Sequence, residues 1–179
     1  MSIIQELTDK YNGIYSEDPT SSFSDPTGKY SYQQKSGIID FDGTKISINL
    51  NEVGGAMYGT EPFRITLHLD KTYEVEFNVF PKTLWNKFLD YIIPNRAIFI
   101  PRTVRNQFSF GGNKDLIKKL VSDKILIENI NNEKIFIGTI NKPTDRIVLT
   151  PAHGINDVDH FEKFVKVLKR IENEMKNCT

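Results

Sequence analysis

The side chains able to do chemistry fall into a few groups. His153, Asp157, Asp159 and His160 sit within the segment HGINDVDH, and imidazole with carboxylate is a legitimate metal-ligand set. The spacing is not H-E-x-x-H. His153 precedes a helix that His160 enters, and Asn156 or Asp157 is needed to cap it. No metal site is expected there. His68 shares the polar side of a strand with Arg64 and Thr66, beside a strand carrying Glu74 and Glu76. A His–carboxylate face is an acid/base set in principle. Nothing in the sequence buries these groups, so a surface salt-bridge cluster is expected and no catalytic residue is assigned. Cys178, next to the C-terminus, lies in a frayed tail and is a poor place for a positioned nucleophile.

The segment Phe108-Ser109-Phe110-Gly111-Gly112-Asn113-Lys114 reads as strand, glycine turn and helix start, an arrangement that can hold a phosphate. The G-x-x-x-x-G-K-[ST] and G-x-G-x-x-G spacings are both absent, so a structural turn is the default. No cofactor is expected.

Two stretches are candidates for binding. NEVGGAMYGTEP, residues 51–62, is the longest irregular stretch, and its glycines would let a partner approach the backbone at Gly54, Gly55, Met57 and Tyr58. The plainer reading is a wide connection between two hairpins. Arg96, Arg102 and Arg105 surround the apolar AIFI segment, with Lys114, Lys118 and Lys119 beyond. With Phe99, Phe108 and Phe110 this resembles the composition of a single-strand nucleic-acid site. Those phenylalanines fit a buried strand better, and the net charge is zero. An acidic protein surface, including the chain's own first half, is the more economical partner for Arg102, Arg105 and Lys118.

Charge is unevenly spread. Residues 1–80 carry 6 basic against 12 acidic side chains, residues 81–120 carry 8 against 2, and the remainder balances at 9 against 9. A single cysteine excludes an intrachain disulfide and fits a reducing compartment. Glu6 interrupts the N-terminus before any apolar run, so no signal peptide is read, and no apolar segment nears the ~20 residues of a membrane span. The expectation is a soluble cytoplasmic protein, and the lysine-, asparagine- and isoleucine-rich composition suits an AT-rich bacterial genome.

The elements that position these residues follow from periodicity. Ser2 caps a short helix over 2–11, and the Asp-Pro-rich segment 17–28 reads as a loop. Residues 37–50 form a hairpin about Asp42-Gly43. Phe63 to Leu69 and Tyr73 to Val79 alternate as a second hairpin, which makes an antiparallel meander of about four strands. Residues 83–92 read as a helix stopped by Pro94. A strand through Phe108 and Phe110 is broken by Gly111-Gly112. A helix follows, capped by Asn113, with its apolar stripe on Leu116, Ile117, Leu120 and Val121. Ser122-Asp123 either ends that helix or starts a short second one through Ile130. Strands about Ile135–Ile137 and Arg146–Thr150 precede a long final helix striped with Phe161, Phe164, Val165, Leu168, Ile171 and Met175.

The predicted class is α+β: an antiparallel sheet with helices on one face. It forms a single domain over 1–179, with a two-lobe division near 94–101 as a variant. The expected function is non-enzymatic binding of another protein, as an adaptor or immunity-type inhibitor. Alternatives are a carrier holding a small apolar ligand between sheet and final helix, and an enzyme built on a His–carboxylate cluster.

Overall fold

Alternating apolar residues turn most of this chain into strands with one buried face. The computed structural model describes residues 2–25, 28–55, 59–60, 63–82 and 100–178. Among them are ten strands: β1 (Ile14–Glu17), β2 (Ser21–Asp25), β3 (Gly28–Phe41), β4 (Thr44–Gly55), β5 (Gly59–Thr60), β6 (Arg64–Tyr73), β7 (Phe77–Pro81), β8 (Phe108–Gly112), β9 (Ile135–Ile140) and β10 (Thr144–Pro151). The described helices are α1 (Ile3–Lys10), α2 (Arg102–Gln107), α3 (Lys114–Ser122), α4 (Lys124–Ile130) and α5 (Val158–Lys176). The strands form one sheet in the order β1-β3-β4-β6-β10-β9-β7-β8, with β2 beside β3 and β5 beside β4. Every described pairing is antiparallel. The fold is α+β, as the periodicity predicts.

The local signals hold. Ser2, Asn113, Asp123 and Asp157 each cap a helix by accepting a backbone N–H. Asp123 therefore starts a separate helix, α4, resolving the alternative left open at Ser122-Asp123. Asp42 and Gly43 turn the β3–β4 hairpin with φ of 50° and 76°, and the Gly43 N–H donates to the Asp40 carboxylate. The α5 stripe from Phe161 to Met175 is buried.

The long-range pairings differ from expectation. β6 and β7 do not form a hairpin. β6 runs unbroken to Tyr73 and pairs with β4 and β10, while β7 pairs with β8 and β9. The hairpin β9–β10 is inserted between them. Residues 74–76 cross over this inserted hairpin, held by Thr144, whose buried hydroxyl donates to the Val75 carbonyl. Alternation fixes which side of a strand is buried but not which strand lies beside it.

Three irregular stretches are more regular than composition suggests. The 17–28 loop contains β2, paired with the far half of β3. β4 continues through Gly54 and Gly55, and β5 pairs Gly59 and Thr60 with it, so residues 51–55 and 59–60 are ribbon. Gly111 and Gly112 do not break β8; they pair with Asn78 and Phe77. Gly112 has φ of 104°, and an added Cβ would press on the Glu76 carbonyl. The helix expected over 83–92 and most of the 94–101 lobe boundary lie outside the described residues.

The helices α1, α3 and α4 all contact α5, which packs on β6 and β10. They form a layer on one face. Gly37 of β3 sits beneath α1, where an added Cβ would lie 2.8 Å from Thr8 Cγ2 and 2.9 Å from Ile4 Cγ2. Buried residues from Ile4 to Met175 form one hydrophobic cluster between sheet and helices.

Candidate functional site

Strand parity defines a second face, turned away from the helices. Ile39 and Phe41, Ile46 and Ile48, Ile65 and Leu67, Ile147 and Leu149, Ile135 and Ile137, Phe77 and Val79 all point into the core. Their alternates therefore share the opposite face. Among the described residues six large apolar side chains are exposed, and five of them lie on strands of the sheet: Ile14, Ile38, Phe80, Phe136 and Ile140. Ile125, on α4, is the sixth.

The register sorts four of these five into two pairs. Ile14 pairs directly with Ile38 at the β1 edge. Towards the other edge, β7 and β9 pair Val79 with Ile137, which puts Phe80 and Phe136 on neighbouring strands one step further along. They are 37% and 49% exposed, values a ring packed in a core does not reach.

Between the pairs the face is polar. Ser47 Oγ and His68 Nε2 lie 2.7 Å apart. Burial pushes the His68 imidazole below its usual pKa, and the neighbouring Lys45 and Arg146 cations add to this. A neutral imidazole beside a hydroxyl is the beginning of a nucleophile–base pair. The described hydrogen bonds hold no third group that orients the ring, and the Ser47 strand commits its backbone to the β3 and β6 ladders. The pair reads as a cross-strand clasp. Glu74 and Glu76, expected beside His68, lie instead in the crossover between β6 and β7, with Glu76 Oε1 3.0 Å from Lys142 Nζ.

Among the described strand residues, Lys45, Arg64 and Arg146 lie on this face by parity. Arg64 is exposed and makes no ion pair among the described residues. Arg146 Nε donates to Asp145 Oδ1 at 3.2 Å. Lys45 stands opposite Asp40 in the β3–β4 register.

The sites expected from sequence are dispersed. Gly54 and Gly55 pair with Ser31 and Tyr30 at the far end of the β3–β4 ribbon. Met57 and Tyr58 lie outside the described residues. Arg102 and Arg105 belong to α2, which sequence periodicity misses because Val104 is its one buried residue. Lys118, on α3, lies 3.3 Å from Asp115 Oδ1. Both α2 and α3 contact β8, which the sheet order sets five places from β4. The glycines and the basic residues therefore do not make one surface. Phe108 is buried and Phe110 packs against the core, so neither is a stacking platform. The acidic first half finds cations in the last third of the chain: Lys169 at Asp42 and Lys176 at Asp70.

The glycine turn and the histidine segment are occupied by structural contacts. The Asn113 side chain accepts from the Asp115 and Leu116 N–H groups at 3.0 Å, taking the donors an anion would use. A depression of about 220 Å³ beside it is lined by polar groups, including Glu74, Glu76, Asn113 and Lys142. That lining does not suit an apolar ligand. At the start of α5, Asp157 accepts the His160 N–H, and His160 Nδ1 accepts the Asn156 N–H. His160 Nε2 is buried 3.5 Å from Glu133 Oε2, without hydrogen-bond geometry. Among the described residues no three His, Cys, Asp or Glu side chains converge to hold a metal. No described helix is long and apolar enough to cross a membrane.

Alternation alone places Phe136 opposite Ile135 and Ile137, and that was the available signal for its exposure. Its proximity to Phe80 had none, because it depends on the β7–β9 pairing. No family model, curated protein or solved structure matches the chain.

Proposed function

We propose that this protein works by binding another protein through the open face of its sheet. One observation carries the reading: five of the six exposed large apolar side chains among the described residues share that face, while four helices cover the other. Exposed apolar side chains gathered on one surface and rimmed by polar groups mark an interaction site. Aromatic rings with arginine nearby are the composition of an interface core. The role is that of an adaptor or inhibitor, which needs a rigid surface and no reactive group. A single cysteine, Cys178, suits work in a reducing cytoplasm.

The test is affinity capture from the organism's own cells with the wild-type chain and the Phe80→Ser, Phe136→Ser double variant. A stoichiometric partner is expected with the wild type and absent with the variant. A partner held equally by both would remove the open face from consideration.

A further inference from the structure

The carpet of side chains on the open face has a gap. Gly138 lies in β9 between Phe136 and Ile140, and pairs with Val148 on one side and Asn78 on the other. A Cβ added to Gly138 would meet nothing within 4 Å, so nothing covers it. Asn78 does not fill the space. Its side chain leans the other way, with Oδ1 2.5 Å from where a Cβ on Gly111 would stand. The result is a notch in the side-chain pattern, with Phe136 and Ile140 on either side of it along β9 and Val148 across from it by register.

Two arginines flank the notch, and one of them, Arg146, is already paired with Asp145. Arg146 pairs with Ile140 in the β9–β10 register. Arg64 lies on β6, beyond Thr150, the residue that pairs with Phe136. That is two strand spacings, about 10 Å, from Phe136. The Arg64 guanidinium has no ion-pair partner among the described residues, so it is available to a carboxylate, which it would hold in a two-pronged hydrogen bond.

We infer that the notch over Gly138 receives one apolar side chain of an acidic, extended segment of the partner protein, and that Arg64 holds a carboxylate of that segment. This rests on the open face being the binding surface. Isoleucines form much of the apolar area and do not stack on bases, and Arg146 is already paired with Asp145. A nucleic-acid backbone needs a run of uncommitted cations. A single apolar anchor with one carboxylate needs only what is present.

The experiment is selection of a displayed random-peptide library on the full chain. The best peptide is then titrated against wild type, Gly138→Val, Arg64→Glu and the Phe80→Ser, Phe136→Ser double variant. Each variant is first shown by circular dichroism to melt as a folded protein, and Gly138→Ala is the milder substitute for valine. Enriched peptides are expected to carry an apolar residue with Asp or Glu nearby. Gly138→Val and Arg64→Glu should each weaken binding about tenfold or more. A peptide with its carboxylate changed to lysine should recover binding to Arg64→Glu. Peptides lacking an acidic residue, or indifferent to Gly138→Val and Arg64→Glu, overturn the inference. If such peptides still fail on the double phenylalanine variant, the open face stands as the binding surface; if they do not, both readings fall. A dye-labelled oligothymidine bound by the wild type and lost with the double variant would make the occupant a single-stranded nucleic acid, and would also overturn it.

Discussion

The Tyr11 hydroxyl donates to Glu162 Oε1 at 2.5 Å, and Lys10 Nζ reaches the same oxygen at 2.7 Å. This contact joins α1, at one end of the chain, to α5 at the other. Burial and the Glu162 carboxylate both raise the phenol pKa well above its ordinary value of 10.0. The folded state therefore keeps a proton that the unfolded chain releases near pH 10, and the contact's stabilising effect fades as pH rises beyond that value. Tyr11→Phe should cost about 1 kcal/mol at neutral pH. Urea denaturation at pH 7 and above pH 10 checks this: the difference between wild type and variant should shrink at the higher pH.

Glu172 is buried to 5% exposure, and its Oε1 lies 2.8 Å from Lys176 Nζ. Lys176 also reaches Asp70 at 3.4 Å, and its pKa is raised first by its bond to Glu172. Removing the lysine leaves a carboxylate in the core. Lys176→Met should destabilise the fold by about 2 kcal/mol, less than for a fully buried pair because the lysine is partly exposed. Adding Glu172→Gln should restore part of the loss. Denaturation midpoints of the single and double variants read the coupling.

Two glycines predict opposite outcomes. Gly37→Ala drives a methyl into Ile4 and Thr8 and forces α1 off the sheet, at a cost of about 1–3 kcal/mol. Gly138→Ala adds a methyl to open space and should leave stability within about 0.5 kcal/mol. Thermal melts of the two variants side by side decide whether α1 rests on Gly37 as described.

His68 should titrate below 6.5, because burial and the Lys45 and Arg146 charges disfavour its cation. The unfolded chain then takes up this proton first as pH falls, so the group's contribution to stability is present at neutral pH and lost through the acid side of 6.5. Following the ring protons by NMR gives the value directly. Lys45→Met should move it upward; an unchanged midpoint would show that Lys45 does not act on the ring.

The open face was only partly legible in the sequence. Alternation marks Phe136 as pointing away from the core, and it does so for Ile38 and Ile140 as well. No local rule gathers them, because their strands come from distant parts of the chain. The basic residues and the 51–62 glycines are clusters in sequence, and the sheet order separates them.

What the sequence determined by itself is what depends on a few neighbouring residues. The buried side of each strand read from alternation, the helix starts at Ser2 and Asn113 and the Asp42-Gly43 turn follow from side-chain period and backbone preference. Which strands meet is set by the assembled fold. The β9–β10 hairpin separates β6 from β7, β4 runs on through Gly54 and Gly55, and Phe80 comes beside Phe136. The physical reason is that a ladder hydrogen bond is the same for every residue pair. The choice of partner is made by the core that all the strands bury together, and no single segment carries it.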